Sequence, residues 1–393
     1  MGGKKKTSCI GLLTSGGDCP GLNAAIRAVA KTAMHEYGIR VIGILDGFRG
    51  LVENRFVRLD NERVSGILTL GGTILGTSRD KPHKIPMGGQ VMDMVQVAAE
   101  NARNMQIDCL VCLGGGGTQK NALRLHAETG LNVMTLPKTI DNDIAETDVS
   151  FGFDTARGIA TDAIDRLHTT ATSHHRIIVC EIMGHRAGWL TVASGLAGGA
   201  DVILIPEIPY DLKIVSEYLH ERRRNGKRFS IVAVAEGASS ISDMNASQAN
   251  GKAKKKTKKH KCNGASGCSG NGGDEDSTCA ENPTTCRQVQ EPVASRVARR
   301  LQELTGTDAR VTALGHVQRG GIPSAFDRML CTLLGTKAVE LLVKGDYNVM
   351  VAYREGRCVP VPLKQVAGRR KVVDPAGPLV QSARLVGTCL GDQ

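Results

Sequence analysis

The sequence has no continuous apolar run of the ~18 to 20 residues that a membrane-spanning helix needs, although hydrophobic residues make up 41% of its 393 positions. Its start, MGGKKKTSCIGLL, does not have the pattern of a secretory signal peptide. A myristoylation motif would need Ser or Thr where Lys6 stands. We therefore expect a globular, cytoplasmic protein with no membrane partner, long enough for two domains.

Disulfides and zinc are also not indicated, although the chain has 12 cysteines. Five of them interrupt apolar strand or helix patterns, where free thiols act as small hydrophobic residues, and are predicted to be reduced core residues: Cys9, Cys109, Cys112, Cys180 and Cys331. Cys109 and Cys112 form a C-x-x-C pair, but they lie in a buried-strand pattern rather than in the exposed turn of a redox pair. A core role is favoured for both.

Residues 244–291 have no periodicity and are rich in glycine, lysine and polar residues, which predicts a disordered basic surface insertion. Much of the positive charge is concentrated in residues 252–261 of the insertion, which contain seven lysines in a chain of formal net charge +11. The composition therefore gives no reason to expect a specific nucleic-acid partner. Its cysteines have spacings unlike the C-x2-4-C of common zinc sites. A zinc site and nonspecific contact with a polyanion stay open as alternatives to a flexible loop.

Short β-branched runs alternate with helical patterns over most of the chain, and no repeat of solenoid length appears. This alternation, with nearly continuous apolar strands, predicts an α/β fold with mainly parallel sheets covered on both faces. In such folds ligands bind beyond the carboxyl ends of the strands. The segments at those places are rich in glycine, charge and amide groups: TSGGDCPG, LGGGGTQ, PKTIDND, EIMGHRAGW, AEG and GHVQRGG.

Two of these segments are typical of phosphate binding. In LGGGGTQ a strand runs into Gly114 to Gly117 and then into a helix that opens near Thr118. Glycines let the backbone approach a phosphate, and the first turn of a helix offers unpaired N–H groups and a positive dipole end. Gly16 and Gly17 repeat the arrangement, while the P-loop and G-x-G-x-x-G patterns are missing. Tight strand-to-helix packing is the alternative for either segment alone, but two such segments favour a polyphosphate ligand.

Asp141 and Asp143 stand just past a predicted strand end. Residues i and i+2 of an extended segment point to the same side, so both carboxylates can face one crevice. One can accept a proton from a substrate hydroxyl and the other can face a metal ion. The alternative is an Asx turn or helix cap built around Asn142.

Cationic and imidazole groups follow several other strands. Arg79, Arg176, Arg310, His316 and Arg319 are more such groups than solubility requires. Arginine presents a planar fork of donors that matches phosphoryl oxygens. The set predicts an anchor for a phosphorylated substrate.

Taken together and in this order, TSGGDCPGLNAAIR, GGTILGTSR, GGGGTQKNALRL, PKTIDND, EIMGHRAGW, VAEGA and GHVQRGG resemble the phosphofructokinase family. The resemblance covers nearly the whole chain apart from the insertion and the tail after about residue 365. It implies phosphoryl transfer from a polyphosphate donor, with Mg²⁺, to the 1-hydroxyl of fructose 6-phosphate.

The resemblance also implies roles for individual residues. Asp141 matches the general base and Thr139 its catalytic neighbour, while Asp143 is the expected metal ligand. The donor site is matched by Gly17, Arg79, Asp80, Gly115, Gly116, Gly117 and Thr118. The sugar-phosphate site is matched by Thr139, Ile140, Asp141, Arg176, Met183, Gly184, His185, Glu236, Arg310, His316, Val317, Gln318 and Arg319.

Three positions depart from the family pattern. Gly116 replaces an acidic residue that touches magnesium in most relatives, and His185 replaces an arginine, with Arg186 one residue later. Members that use pyrophosphate usually pair an Asp in the glycine loop with a Lys in PKTIDND, whereas this chain has Gly117 with Lys138. Gly117 leaves room for the α-phosphate of ATP, so ATP is favoured, while Lys138 keeps pyrophosphate open. A non-catalytic regulatory paralogue is a further alternative.

For the fold, the resemblance implies two similar three-layer lobes with the active site in the cleft between them. We expect a phosphoryl-donor lobe of residues 1–150 and about 320–360, and a sugar-phosphate lobe of residues 151–319 and about 361–393. In the family, the counterparts of Arg176 and Arg310 reach across from a neighbouring subunit. A homodimer or homotetramer with shared active sites is therefore expected.

Overall fold

The computed structural model describes residues 7–245 and 291–393. Almost all of the predicted insertion, including Cys262, Cys268, Cys279 and Cys286, lies outside the described residues, as does Gly2. The five predicted core cysteines are confirmed as buried free thiols. None of the helices in the described part of the chain combines the length and apolar character needed to cross a bilayer.

The strands form three sheets in the described residues. They are β1 (Cys9–Ser15), β2 (Arg40–Ile44), β3 (Phe56–Leu59), β4 (Ile85–Met87), β5 (Gln90–Met92), β6 (Cys109–Gly114), β7 (Asn132–Pro137), β8 (Ile177–Ile182), β9 (Val202–Leu204), β10 (Ser230–Ala235), β11 (Ala309–Ala313), β12 (Val349–Arg354) and β13 (Arg357–Pro362). The large sheet has the order β13-β12-β7-β6-β1-β2-β3, and only its edge strands β3 and β13 pair antiparallel. A second sheet, β11-β8-β10-β9, is entirely parallel, and β4 and β5 form a hairpin.

The helices cover both faces of these sheets. They are α1 (Leu22–Tyr37), α2 (Phe48–Val52), α3 (Val95–Asn104), α4 (Gly116–Thr129), α5 (Phe153–His174), α6 (Trp189–Ala197), α7 (Leu212–Arg224), α8 (Val293–Thr305), α9 (Ala325–Lys344), α10 (Leu363–Val366) and α11 (Pro378–Leu385). Short 3₁₀ helices span Ile67–Thr69 and Gly315–Arg319.

Alternation along β6 shows why the sequence forms this layered fold. Val111 and Leu113 pack in the apolar cluster that contains α1, α5 and α9. Leu110 and Cys112 pack in a separate cluster that contains α2, α3 and α4. Because side chains of a strand point alternately to opposite faces, a continuous apolar strand needs helices on both sides. The predicted α/β class with mainly parallel sheets is confirmed.

The second lobe repeats this arrangement on a smaller scale. Ile178 and Cys180 of β8 join the cluster that contains α5 and α6. Ile177 and Val179 face the cluster that contains α7 and α8. The two lobes are therefore similar in layering but unequal in strand number, with seven strands against four.

The chain returns from the first lobe to the second slightly later than predicted. Val361, Leu363 and Val366 are buried in the cluster of α3 and α4, because β13 pairs with β12 at the edge of the large sheet. Val373 lies in the cluster shared with the second lobe. Residues 361–366 thus pack with the large sheet, and the other domain boundaries stay a prediction.

Candidate active site

The first glycine-rich turn leaves the carboxyl end of β1, in the middle of the large sheet. Gly16 has φ +92° and donates its N–H to the carbonyl of Ser78 at 2.8 Å. Thr77 donates from Oγ1 to the carbonyl of Gly16 at 2.8 Å. The turn is therefore held against the segment that carries Arg79, whose side chain is exposed, and Asp80, which pairs with Arg49 at 3.4 Å.

The second glycine loop joins β6 to α4, and its glycines serve different purposes. A Cβ at Gly114 would lie 2.1 Å from Oγ1 of Thr118, so packing requires glycine there. A Cβ at Gly116 or Gly117 would meet nothing within 4 Å, and neither residue has a positive φ. Neither packing nor backbone conformation explains these two glycines. Their position in the first turn of α4 leaves close approach of a ligand as the physical reason.

Lys138 connects the two glycine segments. Its ammonium donates to the carbonyl of Gly17, and its own carbonyl lies 3.4 Å from the position of a Cβ on Gly115. The side chain is almost fully buried, and this burial lowers the pKa of Lys138. The ammonium of Lys138 is thus buried between the two glycine turns.

Asp141 has a carboxyl oxygen, Oδ1, that is buried and has no hydrogen-bond partner. Burial, together with the nearby charge of Asp143, raises the pKa of Asp141 to about 7. The backbone N–H of Asp141 donates to Oγ1 of Thr139 at 3.0 Å, which holds the backbone of Asp141 at this point. A carboxyl group with a pKa near neutrality and a free oxygen has the properties of a general base.

Asn142 forms the turn that was considered as the alternative to a catalytic site. It has φ +52°, and its Oδ1 accepts the N–H of Ser150 at 3.0 Å. The turn accounts for Asn142 but leaves Oδ1 of Asp141 unpaired. The turn at Asn142 is therefore confirmed, and the catalytic role of Asp141 stays a prediction.

Asp143 lines the same cavity as Asp141 and lies 3.8 Å from Nε of Arg370. Within the described ranges, no group of three or more His, Cys, Asp or Glu residues could hold a metal ion without help. Magnesium bound together with phosphates needs only one or two carboxylates, the remaining ligands being water and phosphate oxygens. The unpaired oxygen of Asp141 beside Asp143 is compatible with such a site.

Arg319 brings the GHVQRGG segment to the first glycine turn. Its Nη1 donates to the carbonyl of Asp18 at 3.0 Å, and its buried Nε has no partner. Its neighbour Gln318 is fully buried and donates to the carbonyl of Gly315 at 3.2 Å, while His316 and Val317 are exposed. A cavity of about 170 Å³ results, lined by Gly16, Gly17, Gly115, Gly116, Gly117, Thr118, Lys138, Thr139, Asp141, Asp143 and Arg319.

The segment after β8 is organised by Glu236. Its carboxylate accepts the N–H of His185 at 2.7 Å and that of Gly184 at 3.4 Å. His185 has φ +53° and an exposed side chain, whereas Met183 is buried. A Cβ at Gly237 would lie 2.0 Å from the carbonyl of His185, so the AEG segment needs this glycine to pack against MGHR.

Arg176 and Arg310 lie at the other end of the small sheet. Arg176 precedes β8 and Arg310 is near the start of β11, and they lie 2.6 Å and 3.2 Å from Oδ2 of Asp308. Met183 follows the opposite end of β8 after six residues, a distance of about 20 Å at ~3.3 Å per residue. A single chain therefore does not bring these two arginines to the cavity of Asp141.

The C-terminal segment after α10 contacts the site, and the sequence analysis missed it. Arg370 pairs with Ile144 in an isolated β-bridge, and Lys371 donates its N–H to the carbonyl of Asp143 at 2.9 Å. Burial lowers the pKa of Lys371 to about 8. The only signal in the sequence was the basic run GRRK, which is indistinguishable from a solvated surface charge without the fold.

Two α/β lobes, glycine-lined turns at the carboxyl ends of parallel strands and an unpaired buried carboxyl group define a phosphoryl-transfer enzyme. The family model for phosphofructokinase matches residues 9–342. The chain belongs to the phosphofructokinase family, as the sequence motifs predicted.

Curated relatives match over almost their entire length. The chain is 50% identical over 388 residues to an ATP-dependent 6-phosphofructokinase of Propionibacterium freudenreichii, covering 98% of this chain and 99% of the relative. It is 49% identical over 393 residues to a protein of the same name from Spirochaeta thermophila, covering 98% of both.

Solved structures agree with the fold. Phosphofructokinase from Saccharomyces cerevisiae superposes with a TM-score of 0.73 at 30% identity over 91% of this chain, which spans 45% of the yeast chain. A pyrophosphate-dependent phosphofructokinase from Nitrosospira multiformis superposes with a TM-score of 0.75, covering 98% of this chain and 93% of that one. Its identity of 20% supports the fold alone.

Proposed function

We propose that this protein transfers the terminal phosphoryl group of ATP to the 1-hydroxyl of D-fructose 6-phosphate, which gives fructose 1,6-bisphosphate and ADP, a step of glycolysis. The observation that carries the proposal is the unpaired, buried Oδ1 of Asp141 beside two glycine turns in one cavity. Two relatives that are 50% and 49% identical over nearly their whole length are named ATP-dependent 6-phosphofructokinase, which supports this reaction.

In the proposed reaction, Asp141 accepts the proton of the sugar 1-hydroxyl while the oxygen attacks the terminal phosphorus. The O–P bond forms as the bond to the β-phosphate oxygen breaks, and the leaving group is ADP. Thr139 holds Asp141 through its backbone N–H. Phosphoryl transfer depends mainly on positioning and on charge neutralisation.

The donor would lie along the glycine turns, with Gly17 and Gly115 to Thr118 near the phosphates and Arg79 and Asp80 beside the first turn. Asp143 would hold Mg²⁺ together with water and phosphate oxygens, and the ion would neutralise charge on the transferred group. Gly116 leaves the first turn of α4 without a carboxylate, so the metal site relies on Asp143.

The open space at Gly117 supports ATP as the donor, since nothing lies within 4 Å of a Cβ at that position. Pyrophosphate is the second candidate, because the buried cation of Lys138 lies beside the carbonyl of Gly17. A non-catalytic paralogue is disfavoured by Asp141, whose free carboxyl oxygen has no structural use in the described residues.

The sugar phosphate would be held by Met183, Gly184, His185, Glu236, His316, Val317, Gln318 and Arg319 of one chain. Arg176 and Arg310 would complete this site in a neighbouring copy, since they lie at the opposite end of the small sheet. We thus infer a homodimer or homotetramer with shared active sites that acts in the cytoplasm.

One assay tests the reaction and the donor together. Purified protein is incubated with fructose 6-phosphate and Mg²⁺, with ATP in one reaction and pyrophosphate in a second, and fructose 1,6-bisphosphate is measured. We expect product with ATP and Mg²⁺ and none when EDTA removes the metal. Product with pyrophosphate only would show that pyrophosphate, and not ATP, is the donor. No product with either would overturn the proposed function.

A further inference from the structure

The C-terminal segment 370–373 lies between the two groups of site residues. On one side, the bridge of Arg370 with Ile144 and the bond from Lys371 N–H to the carbonyl of Asp143 attach it to the catalytic segment. On the other side, Nε1 of Trp189 donates to the carbonyl of Lys371 at 3.1 Å. The segment therefore contacts both the Asp141 segment and the segment that follows β8.

The ammonium of Lys371 has a defined purpose in this contact. It donates to Oδ1 of Asn142 at 3.0 Å, to the carbonyl of Thr147 at 2.9 Å and to the carbonyl of Asp148 at 2.7 Å. A lysine ammonium has three donors and no acceptor, so these bonds use its full capacity. The two ends of the segment 142–148 are therefore held together by bonds to the same ammonium group.

Asn142 lies directly between Asp141 and Asp143, so bonds that hold Asn142 restrain the backbone that carries both carboxylates. Its backbone is left-handed, and its Oδ1 accepts the backbone N–H of Ser150 and the ammonium of Lys371, both at 3.0 Å. Its Nδ2 donates to the carbonyl of Asp148 at 3.5 Å. A left-handed non-glycine residue persists when its surroundings determine it.

A second set of hydrogen bonds connects segment 370–373 to the segment that follows β8. Val373 is buried and donates its N–H to Oε1 of Glu207 at 2.9 Å. The same carboxylate accepts the N–H of Gly188 at 2.9 Å. The Lys371 ammonium also lies 5.3 Å from the centre of the Trp189 ring, within the range of a cation–π contact.

We propose that Lys371 is a positioning residue that aligns the Asp141–Asp143 segment with the Gly184–Trp189 segment for phosphoryl transfer. It touches neither substrate and acts through Asn142 and Trp189. The inference rests on the proposed function, because it concerns the rate of that reaction. Displacement of a reacting group by about 1 Å can cost about 100-fold in rate.

The test compares Lys371→Met with Lys364→Met, a matched control at an exposed position of α10 in the same tail. Met keeps most of the length of the Lys371 side chain and the backbone bonds of the segment, but it removes all three N–H donors. We expect kcat to fall about tenfold or more, with KM for fructose 6-phosphate and ATP within about threefold of wild type. A kcat within twofold of wild type for correctly folded Lys371→Met would overturn the proposal.

Trp189 is the single tryptophan of the chain, which provides a readout that needs no turnover. Its indole contacts both the carbonyl and the ammonium of Lys371, so Lys371→Met should change the emission spectrum and Lys364→Met should not. Superimposable spectra for Lys371→Met and wild type would overturn the contact. If wild type makes no product from fructose 6-phosphate, the proposed function fails while the fluorescence comparison still decides the contact.

If Lys371→Met does not fold, Lys371→Arg replaces it. Arginine keeps the charge, but its planar guanidinium cannot point three N–H groups from one atom at the three acceptors. We expect a folded protein with kcat lowered about threefold and KM unchanged. A wild-type kcat in this variant, together with an unchanged Trp189 spectrum, would overturn the proposal.

Discussion

Arg319 donates from Nη1 to the backbone carbonyl of Asp18 at 3.0 Å, which attaches the GHVQRGG segment to the first glycine turn. The same guanidinium lies 2.7 Å from the position of a Cβ on Gly17. A predicted sugar-phosphate residue therefore lies against the turn that contains Gly17, a predicted donor residue. Both residues line the cavity that contains Asp141.

Replacing Asp141 by Asn should abolish most turnover while the sugar phosphate still binds. The amide keeps the size of the side chain but cannot accept the hydroxyl proton, and general base catalysis contributes about 10² to 10⁴ in rate. We expect kcat to fall by that factor, and the affinity for fructose 6-phosphate, measured by calorimetry, to change little. Normal turnover in this variant would refute the role of Asp141.

The same substitution should stabilise the protein at neutral pH in the absence of metal. The pKa of Asp141 is raised from 3.8 to about 7, so between these values the unfolded chain has lost the proton that the folded chain keeps. Stability contributed by this group is present at low pH and falls as pH rises through that window.

The advantage of Asp141→Asn should thus grow from about pH 4 to pH 7 and level off above it, by roughly 1–2 kcal/mol, because Asp141 borders an open cleft that screens part of the penalty. Thermal melts of both proteins in EDTA at pH 5, 6, 7 and 8 measure this difference. A stability difference that does not depend on pH would contradict the raised pKa.

The sequence predicted the fold class well because burial patterns are local. Alternating contacts of Val111 and Cys112 with opposite helix layers follow directly from a continuous apolar strand. The glycine turns, Asp141 and Arg319, which the sequence proposed for the site, line one cavity, and the proposal rested on the rule that ligand sites in α/β folds follow strand ends. These residues could be proposed from the sequence because each stands beside a predicted element boundary.

Lys371 could not be proposed from the sequence, because its contacts are distant in the chain. It contacts Asn142, which is 229 positions away in the chain, and no periodic pattern surrounds it. Arg176 and Arg310 were predicted as anchors that follow strands, and that placement is wrong. Arg176 precedes β8 and Arg310 is near the start of β11, so both lie away from Asp141. Long-range contacts and contacts between copies leave no local pattern in a single sequence.

Gly117 should control which donor the enzyme accepts. Replacing it by Asp would place a negative charge in space that is otherwise empty, and this charge would repel the phosphates of ATP. We expect KM for ATP to rise at least about tenfold, while KM for fructose 6-phosphate stays near wild type. Gly117→Ala is the steric control, since it adds a Cβ without the charge and that Cβ meets no protein atom within 4 Å. Equal ATP kinetics in the Asp and Ala variants would remove Gly117 from the donor site.

Gly114 and Gly116 should respond to alanine in opposite ways. A Cβ on Gly114 would lie 2.1 Å from Oγ1 and 2.3 Å from Cβ of Thr118, so α4 has to shift, at a cost of about 1–3 kcal/mol. A Cβ on Gly116 meets nothing within 4 Å, and alanine favours the helix by up to about 1 kcal/mol. Urea denaturation of both variants measures the difference, and equal destabilisation would contradict the separate purposes assigned to these glycines.

Shared active sites can be tested by complementation between two inactive variants. Arg310→Ala should lose sugar-phosphate affinity, because truncating a charged partner typically costs about 2–5 kcal/mol, and Asp141→Asn should lose turnover. In a mixed oligomer, the wild-type Asp141 of one chain would meet the wild-type Arg310 of the other and restore one intact site per pair. Activity of the purified, co-expressed mixture should approach half of wild type per mixed pair, while each variant alone stays nearly inactive. A mixture no more active than the two separate variants would place Arg310 in the site of its own chain, against the geometry of the small sheet.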